Sequence, residues 1–126
     1  MAQDTVADAM NMMRNAKKAR KEIVRIKLVS NLLIEVLKIM KRENAIKKYK
    51  IDAKDRSVEV TLGDFIECKV IKPRFMVKVG EIERYKRRYL PARDMGTVLI
   101  STSKGLMTHD EAVEVGLGGS LIAFFY

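Results

Sequence analysis

Three hydroxyl side chains stand in a row where an apolar segment meets a glycine. The segment 99–105 reads LISTSKG, so Ser101, Thr102 and Ser103 are followed by Lys104. Short hydroxyls can reach the 2′-hydroxyls and base edges in the wide, shallow minor groove of A-form RNA. Readers of DNA more often place long side chains on a helix in the major groove. These residues therefore favour RNA over DNA as a ligand, and an ordinary polar strand end is the alternative.

Residues that could support catalysis or bind a metal are few. His109 is the only histidine, which excludes a multi-histidine metal site and a second histidine base. His109, Asp110 and Glu111 resemble a ligand cluster, but Thr108 and Glu111 also have the spacing of a helix capping box. We favour the capping interpretation, which makes His109 dispensable for stability and for binding.

The single cysteine and the C-terminal glycines do not indicate a reactive site either. Cys68 alternates with Ile66 and Val70, which predicts a buried thiol on an apolar face. The glycines of segment 116–119 precede a predicted strand rather than opening a helix, the wrong order for a phosphate-binding loop. We therefore predict a protein that is not an enzyme and has no catalytic site, metal or cofactor.

Positive charge is concentrated in two segments of this 126-residue chain, whose net charge is +9. Residues 14–50 contain 13 lysines and arginines against three acids, and residues 69–93 contain nine against two. Such segregation is typical of a surface that faces phosphates, whereas a merely soluble basic surface is the alternative. The chain has no apolar run of the roughly 18 residues that span a bilayer and no secretory pattern, so we predict a cytoplasmic protein without membrane contact.

The period of the apolar residues predicts the elements that position these groups. In the first half the apolar period predicts two helices, one from Thr5, which begins a capping-box-like sequence, to about Asn15, and one that is capped by Ser30 and stops at Asn44. A strand at 23–28 lies between the helices, and strands at 46–52, 57–62 and 66–70 follow the second helix. The order of this half is therefore α-β-α-β-β-β.

The second half is predicted to be mostly β with short helices. It contains a short helix between Gly80 and Pro91, a strand at 97–102, a helix at 108–115 stopped by Gly116, and a strand at 120–126. The predicted fold class is α+β, with two small units at 1–68 and 69–126.

Several segments resemble one known family. GTVLISTSKGLMTHDEA (96–112) and GLGGSLIAFFY (116–126) are similar to the signature of the eighth small-subunit ribosomal protein, the universal S-eight family. DTVADAMNMMRNA (4–16) resembles the first helix of that family and its RNA-facing end. IKPRF (71–75) and RYLPAR (88–93) resemble its archaeal and eukaryotic branch, so we expect an archaeal source.

The resemblance implies a function and partners. Such a protein would be a structural constituent of the small ribosomal subunit that binds the central domain of the small-subunit rRNA directly and supports early assembly. It would touch neighbouring ribosomal proteins, have no small-molecule substrate, and be monomeric outside the ribosome. Both units would bind RNA.

The resemblance also implies RNA-binding residues. In the C-terminal unit they are Ser101, Thr102 and Ser103, with Gly118 and Gly119 in the same neighbourhood. In the N-terminal unit they are Thr5, Asn15, Ser30 and Asn31. Charge and position alone add four expected phosphate partners, Lys17, Lys18, Lys27 and Lys104.

Two functions of other classes stay open at this point. One is a DNA-binding or chromosome-organising protein that would use the basic segment 14–50. The other is an adaptor that binds an acidic partner without nucleic acid. Competition between rRNA fragments and duplex DNA at moderate salt separates the three.

Overall fold

The computed structural model describes residues 5–27, 31–71, 75–91 and 95–126. Within these ranges the chain forms four α-helices and two antiparallel sheets, so the predicted α+β class is confirmed. The chain divides into two compact units, and the boundary lies between Lys69 and Val70.

The N-terminal unit contains two helices and a three-stranded sheet. Its elements are α1 (Thr5–Lys18), β1 (Ile23–Lys27), α2 (Asn31–Arg42), β2 (Ile46–Asp52) and β3 (Ser57–Leu62). The strand order is β1-β3-β2, and β3 is antiparallel to both neighbours. The two predicted helices and the strands predicted at 23–28, 46–52 and 57–62 are found here, although α1 continues three residues beyond the predicted end at Asn15.

Apolar spacing explains both helices of this unit. Each buries one stripe at positions i, i+3, i+4 and i+7, and the buried side chains are Val6, Ala9, Met10 and Met13 on α1 and Leu33, Val36, Leu37 and Met40 on α2. Asn44 follows α2 with φ at +65°, and its N–H donates to the carbonyl of Lys41. The left-handed conformation that asparagine tolerates ends the helix there, as predicted.

The C-terminal unit is built around a sheet of five strands within the described residues. Its sheet includes β4 (Cys68–Val70), in which the boundary between the units falls. The other elements are β5 (Met76–Val77), a 3-10 turn (Val79–Glu81), α3 (Ile82–Tyr89), β6 (Thr97–Thr102), β7 (Gly105–Thr108), α4 (His109–Val115) and β8 (Gly119–Phe125). The strand order is β4-β8-β6-β7, with β5 also paired to β8.

Two predictions about strands are wrong, and two strands were not predicted. The first half was expected to contain three consecutive strands of one unit, but β4 belongs to the second sheet. Ile66 precedes β4, and its side chain is 68% exposed, so it does not share a buried face with Cys68. The strands β5 and β7 were not predicted, because a two-residue and a four-residue strand are too short to show a period.

The helices of the C-terminal unit pack on one face of its sheet. Ile82 of α3 and Ala112 of α4 lie in one buried cluster with Val98, Ile100 and Leu121 of the sheet. Side chains alternate along a strand, so Ser101 and Ser120, the neighbours of Ile100 and Leu121, lie on the opposite face. None of the helices in the described part of the chain is long and apolar enough to cross a membrane.

Candidate nucleic-acid interface

The hydroxyl segment forms the tip of the β6–β7 hairpin. Thr102 pairs with Gly105 across the hairpin, and Ser103 and Lys104 form the turn between them. Gly105 has φ at +113°, a conformation that a residue with a Cβ rarely adopts. The glycine that follows the hydroxyls therefore makes the turn possible and holds Ser103 and Lys104 at an exposed tip.

The three hydroxyls of this segment have different surroundings. The Thr102 hydroxyl donates to the Gly105 carbonyl at 2.8 Å and accepts from the Lys104 N–H at 3.1 Å. This side chain therefore closes the turn. Ser103 is exposed at the tip, whereas Ser101 is half-buried on the sheet.

Ser101 belongs to a row of side chains that crosses the sheet. It pairs with Leu106 on β7 and with Ser120 on β8, and Ser120 pairs in turn with Met76 on β5. Cross-strand partners present their side chains on the same face. We call Ser101 and Ser120, flanked by Leu106 and Met76, the serine row.

Ser120 was missed by the sequence analysis. Its hydroxyl donates to the Met76 sulfur at 3.0 Å, so the serine is held in place by β5. The sequence signal that could have found it was its position, because Ser120 directly follows Gly118 and Gly119 and is the first residue of the strand predicted at 120–126. Only the pairing of β8 with β6 brings it beside Ser101.

Gly118 and Gly119 allow the strands to approach each other closely. A Cβ on Gly119 would lie 2.1 Å from the Ser101 carbonyl oxygen, and one on Gly118 would lie 2.3 Å from the Val77 carbonyl oxygen. The structure thus places Gly119 directly against Ser101. Both glycines position the serine row through their backbone, which explains their presence without any contact to a ligand.

The end of α1 presents fewer free charges than its sequence suggests. The Lys17 ammonium donates to the Gly63 carbonyl and lies 5.5 Å from the centre of the Phe65 ring. Lys17 is therefore engaged within the N-terminal unit. Asn15 and Lys18 are exposed on the same helix end. Of the two lysines there, Lys18 is the one available to a phosphate.

The remaining predicted residues lie at several places. Lys27 is exposed at the end of β1, where it pairs with Ser57 of β3, and Asn31 is exposed at the first residue of α2. Ser30 and the side chain of Thr5 lie outside the described parts of the chain. The backbone of Thr5 begins α1.

The acidic cluster around His109 is a helix cap, as predicted. The Thr108 hydroxyl accepts from the Glu111 N–H at 3.2 Å, and the Glu111 carboxylate accepts from the Thr108 N–H at 3.3 Å. No group of three or more side chains that could hold a metal ion occurs among the residues described.

His109 itself is more deeply placed than its helix-end position suggested. It is 4% exposed, its Nδ1 accepts from the Val98 N–H at 3.1 Å, and its Nε2 lies 3.3 Å from the Asp110 carboxylate. Loss of solvent contact lowers the pKa of His109 below its usual 6.5, and Asp110 partly opposes this. Burial and the hydrogen bond argue against the expectation that His109 is dispensable for stability, because the side chain satisfies a buried backbone donor.

Cys68 is a buried thiol, as predicted. Its Sγ lies 3.4 Å from the Met10 carbonyl, which accepts its hydrogen bond. Burial, with a smaller contribution from the neighbouring Glu67, raises the pKa of Cys68 to about 12. The thiolate is the reactive form of cysteine, so this side chain is unsuited to act as a nucleophile at neutral pH.

The sequence is similar over its whole length to known proteins of one family. The family model described as ribosomal protein S8 matches residues 4–126. Curated relatives named small ribosomal subunit protein uS8 include those of Nanoarchaeum equitans (42% identical), Picrophilus torridus (41%) and Thermoplasma acidophilum (37%). Each alignment covers 100% of this chain and 100% of the relative. A match of this extent shows that the chain belongs to the ribosomal protein S8 family, and these three relatives are archaeal.

Proposed function

We propose that this protein is a structural component of the small ribosomal subunit that binds the central domain of the small-subunit rRNA directly and supports its assembly. Membership of the ribosomal protein S8 family and the names of its archaeal relatives support the ribosomal part of the proposal. The observation that carries RNA recognition is the hairpin tip with exposed Ser103, beside the serine row.

In the proposed mechanism, one set of side chains provides affinity for RNA and another set discriminates between RNAs. Exposed ammonium groups at Lys18, Lys27 and Lys104 attract RNA phosphates, and this attraction is independent of sequence and weakens with salt. Hydroxyls at the tip and in the serine row would hydrogen-bond to 2′-hydroxyls and base edges in a shallow groove. A wrong RNA would leave these hydroxyls unpaired at the interface, at a cost of about 1–3 kcal/mol each.

The proposal extends to partners and location. Both units would bind rRNA, and adjacent ribosomal proteins would cover other surfaces of the chain. Outside the ribosome the protein would be a cytoplasmic monomer. These statements rest on the family relationship, and sedimentation of the free protein tests the last of them.

The test compares two hydroxyls of the same turn. Ser103 is exposed, so Ser103→Ala should leave the melting temperature nearly unchanged. If RNA completes its hydrogen bonds, affinity for a central-domain rRNA fragment should fall about 5- to 150-fold, while binding to a scrambled RNA should not change.

Thr102→Val is the matched control. It removes the two internal hydrogen bonds of the Thr102 hydroxyl and should destabilise the hairpin by about 1–2 kcal/mol. Thermal melting and fluorescence titration of both RNAs measure all these effects. Normal affinity of the Ser103→Ala variant for the central-domain fragment would contradict the proposal, as would an early melting transition of that variant.

A further inference from the structure

The outer face of α3 carries three arginines. Arg84, Arg87 and Arg88 are separated by three and four residues, so their side chains lie on one side of the helix. Arg84 and Arg87 are 68% and 72% exposed, and Arg88 is also exposed. The opposite side of α3 is anchored by Ile82, which is buried in the core cluster. We call these three side chains the arginine face.

Two members of the arginine face are held by an aromatic ring. The guanidinium carbons of Arg84 and Arg88 lie 5.1 and 5.3 Å from the centre of the Tyr85 ring. The ring itself is fixed by an edge contact with Phe75, at 5.0 Å between centres. A guanidinium that stacks on an aromatic ring keeps its N–H donors for an anion and loses less freedom when it binds one.

Structural roles account for only part of the arginine face. Arg87 and Arg88 lie in the last turn, where cations interact favourably with the helix dipole. Arg84 bonds to Glu81 at 3.1 Å, and Arg87 lies 3.9 Å from Glu83. Yet Arg84 and Arg88 are like charges four residues apart, a spacing that disfavours the helix. Helix stability alone therefore does not explain why two arginines have this spacing.

The arginine face and the serine row lie on different sides of the C-terminal unit. The core cluster that contains Ile82 of α3 also contains Ile100 and Leu121 of the sheet. Ser101 and Ser120 adjoin those two residues and therefore point from the other face of the sheet. The sheet separates the two surfaces, so an RNA helix whose groove contacts the serine row does not reach the arginine face.

We propose that the arginine face binds the phosphates of a second RNA segment, distinct from the one read by the hairpin tip and the serine row. This inference rests on the proposed function, since it takes RNA as the ligand of the first surface. The protein would then join two parts of the rRNA. Each planar guanidinium can hold a phosphate through two parallel hydrogen bonds, which an ammonium cannot do.

RNA fits this face better than an acidic protein does. Protein interfaces are anchored by exposed aromatic or apolar side chains at their centre. Among the described residues, α3 exposes no large apolar side chain, and Tyr85 is half-buried between its arginines. Phosphate contacts require no such anchor.

The experiment asks whether one protein holds two RNAs. A central-domain rRNA fragment is immobilised and saturated with protein, and a labelled, perfectly paired short RNA duplex is then titrated at moderate salt. The triple variant Arg84→Gln, Arg87→Gln, Arg88→Gln should be captured normally by the fragment. Its affinity for the duplex should fall at least about tenfold, because three phosphate contacts are lost.

The matched control removes the same charge elsewhere. Lys48, Lys50 and Lys54 are exposed in the N-terminal unit, and the triple change of these lysines to glutamine should leave duplex retention by the C-terminal unit largely intact. Arg87 has no ring contact among the described residues, so Arg87→Gln alone should give a smaller loss and covers the case in which the triple variant melts early.

Each other outcome has a defined meaning. Duplex retention by the α3 variant equal to that of wild type would overturn the inference, and so would an equal loss in the lysine control. Failure of the α3 variant to be captured would assign the arginines to the first RNA and also overturn it. Poly-glutamate that binds as tightly as the duplex at equal charge would indicate an acidic protein instead. Failure of the wild type to be captured would contradict the proposed function alone, because direct titration with the duplex still tests the arginine face.

Discussion

Hydrogen bonding assigns different roles to neighbouring side chains of the same type. Thr102 closes the β6–β7 turn with its hydroxyl, whereas the adjacent Ser103 is exposed at the tip. Lys17 donates to the Gly63 carbonyl, whereas the adjacent Lys18 is exposed. Residue type and position therefore indicate which segment can bind RNA, and internal hydrogen bonds decide which side chain in it is free to do so.

The buried imidazole of His109 should make stability depend on pH. Its pKa is lowered in the folded state by desolvation, so the unfolded chain binds a proton more readily. The contribution of His109 to stability is complete above about pH 6.5, the usual value, and decreases as the pH falls through 6.5 towards the lower folded pKa. Urea denaturation at several pH values measures this decrease.

The control for this prediction is His109→Ala, which should remove the decrease near pH 6.5 and destabilise the protein by about 1–3 kcal/mol at neutral pH. The reason for the destabilisation is that the buried Val98 N–H loses its acceptor. Stability of wild type that does not change between pH 7.5 and 5.5 would contradict the lowered pKa. The sequence indicated the capped helix correctly, but a capping motif does not reveal which side of the first turn faces the sheet.

Short strands and their pairing are the part of the fold that could not be predicted. The helices α1, α2 and α4 and the strands β2, β3 and β6 follow from apolar period and caps, which are local properties. Strands β5 and β7 owe their existence to partners distant in the chain, such as Ser120 for Met76. The serine row depends on the same long-range pairing, so the sequence could suggest Ser101 as a site residue but not Ser120.

The close approach of β8 to β6 predicts that a side chain at Gly119 would destabilise the protein. Gly119→Ala should destabilise the protein by more than about 2 kcal/mol, because the new Cβ would lie 2.1 Å from the Ser101 carbonyl oxygen and backbone must move. Gly80→Ala is the control, since no described atom lies within 4 Å of a Cβ added there, and it should change stability by under about 0.5 kcal/mol. Chemical denaturation compares the two variants, and equal stabilities would show that β8 can shift without cost.

The sequence shows where positive charge is concentrated in the molecule, but it does not show which cations are engaged in internal contacts. The segment 14–50 is strongly basic, but some of its cations are engaged internally: Lys17 with Gly63 and Phe65, and Arg25 with Asp52 at 3.5 Å. Each engaged cation still adds to long-range attraction, yet it is less able to contact a phosphate directly. Net charge should therefore influence the association rate, whereas the exposed cations should determine the salt dependence of affinity.

The salt dependence of RNA binding tests that distinction. Replacing Lys18, Lys27 and Lys104 by glutamine should flatten the slope of log affinity against log salt by about two to three, since each phosphate contact contributes about 0.7–0.9. The loss should be similar for central-domain and scrambled RNA, because phosphates carry no sequence information. Titrations at four or more salt concentrations give the slopes.

Two single variants with the same change of charge complete the test. Lys54→Gln, in the exposed turn after β2, should leave the slope unchanged, because this lysine has no place in the proposed interface. Lys17→Gln should also leave the slope unchanged but should lower the melting temperature, because the Gly63 carbonyl loses its donor. If Lys17→Gln flattens the slope as much as Lys18→Gln does, the ammonium of Lys17 leaves Gly63 for a phosphate on binding, and the division between engaged and exposed lysines is wrong.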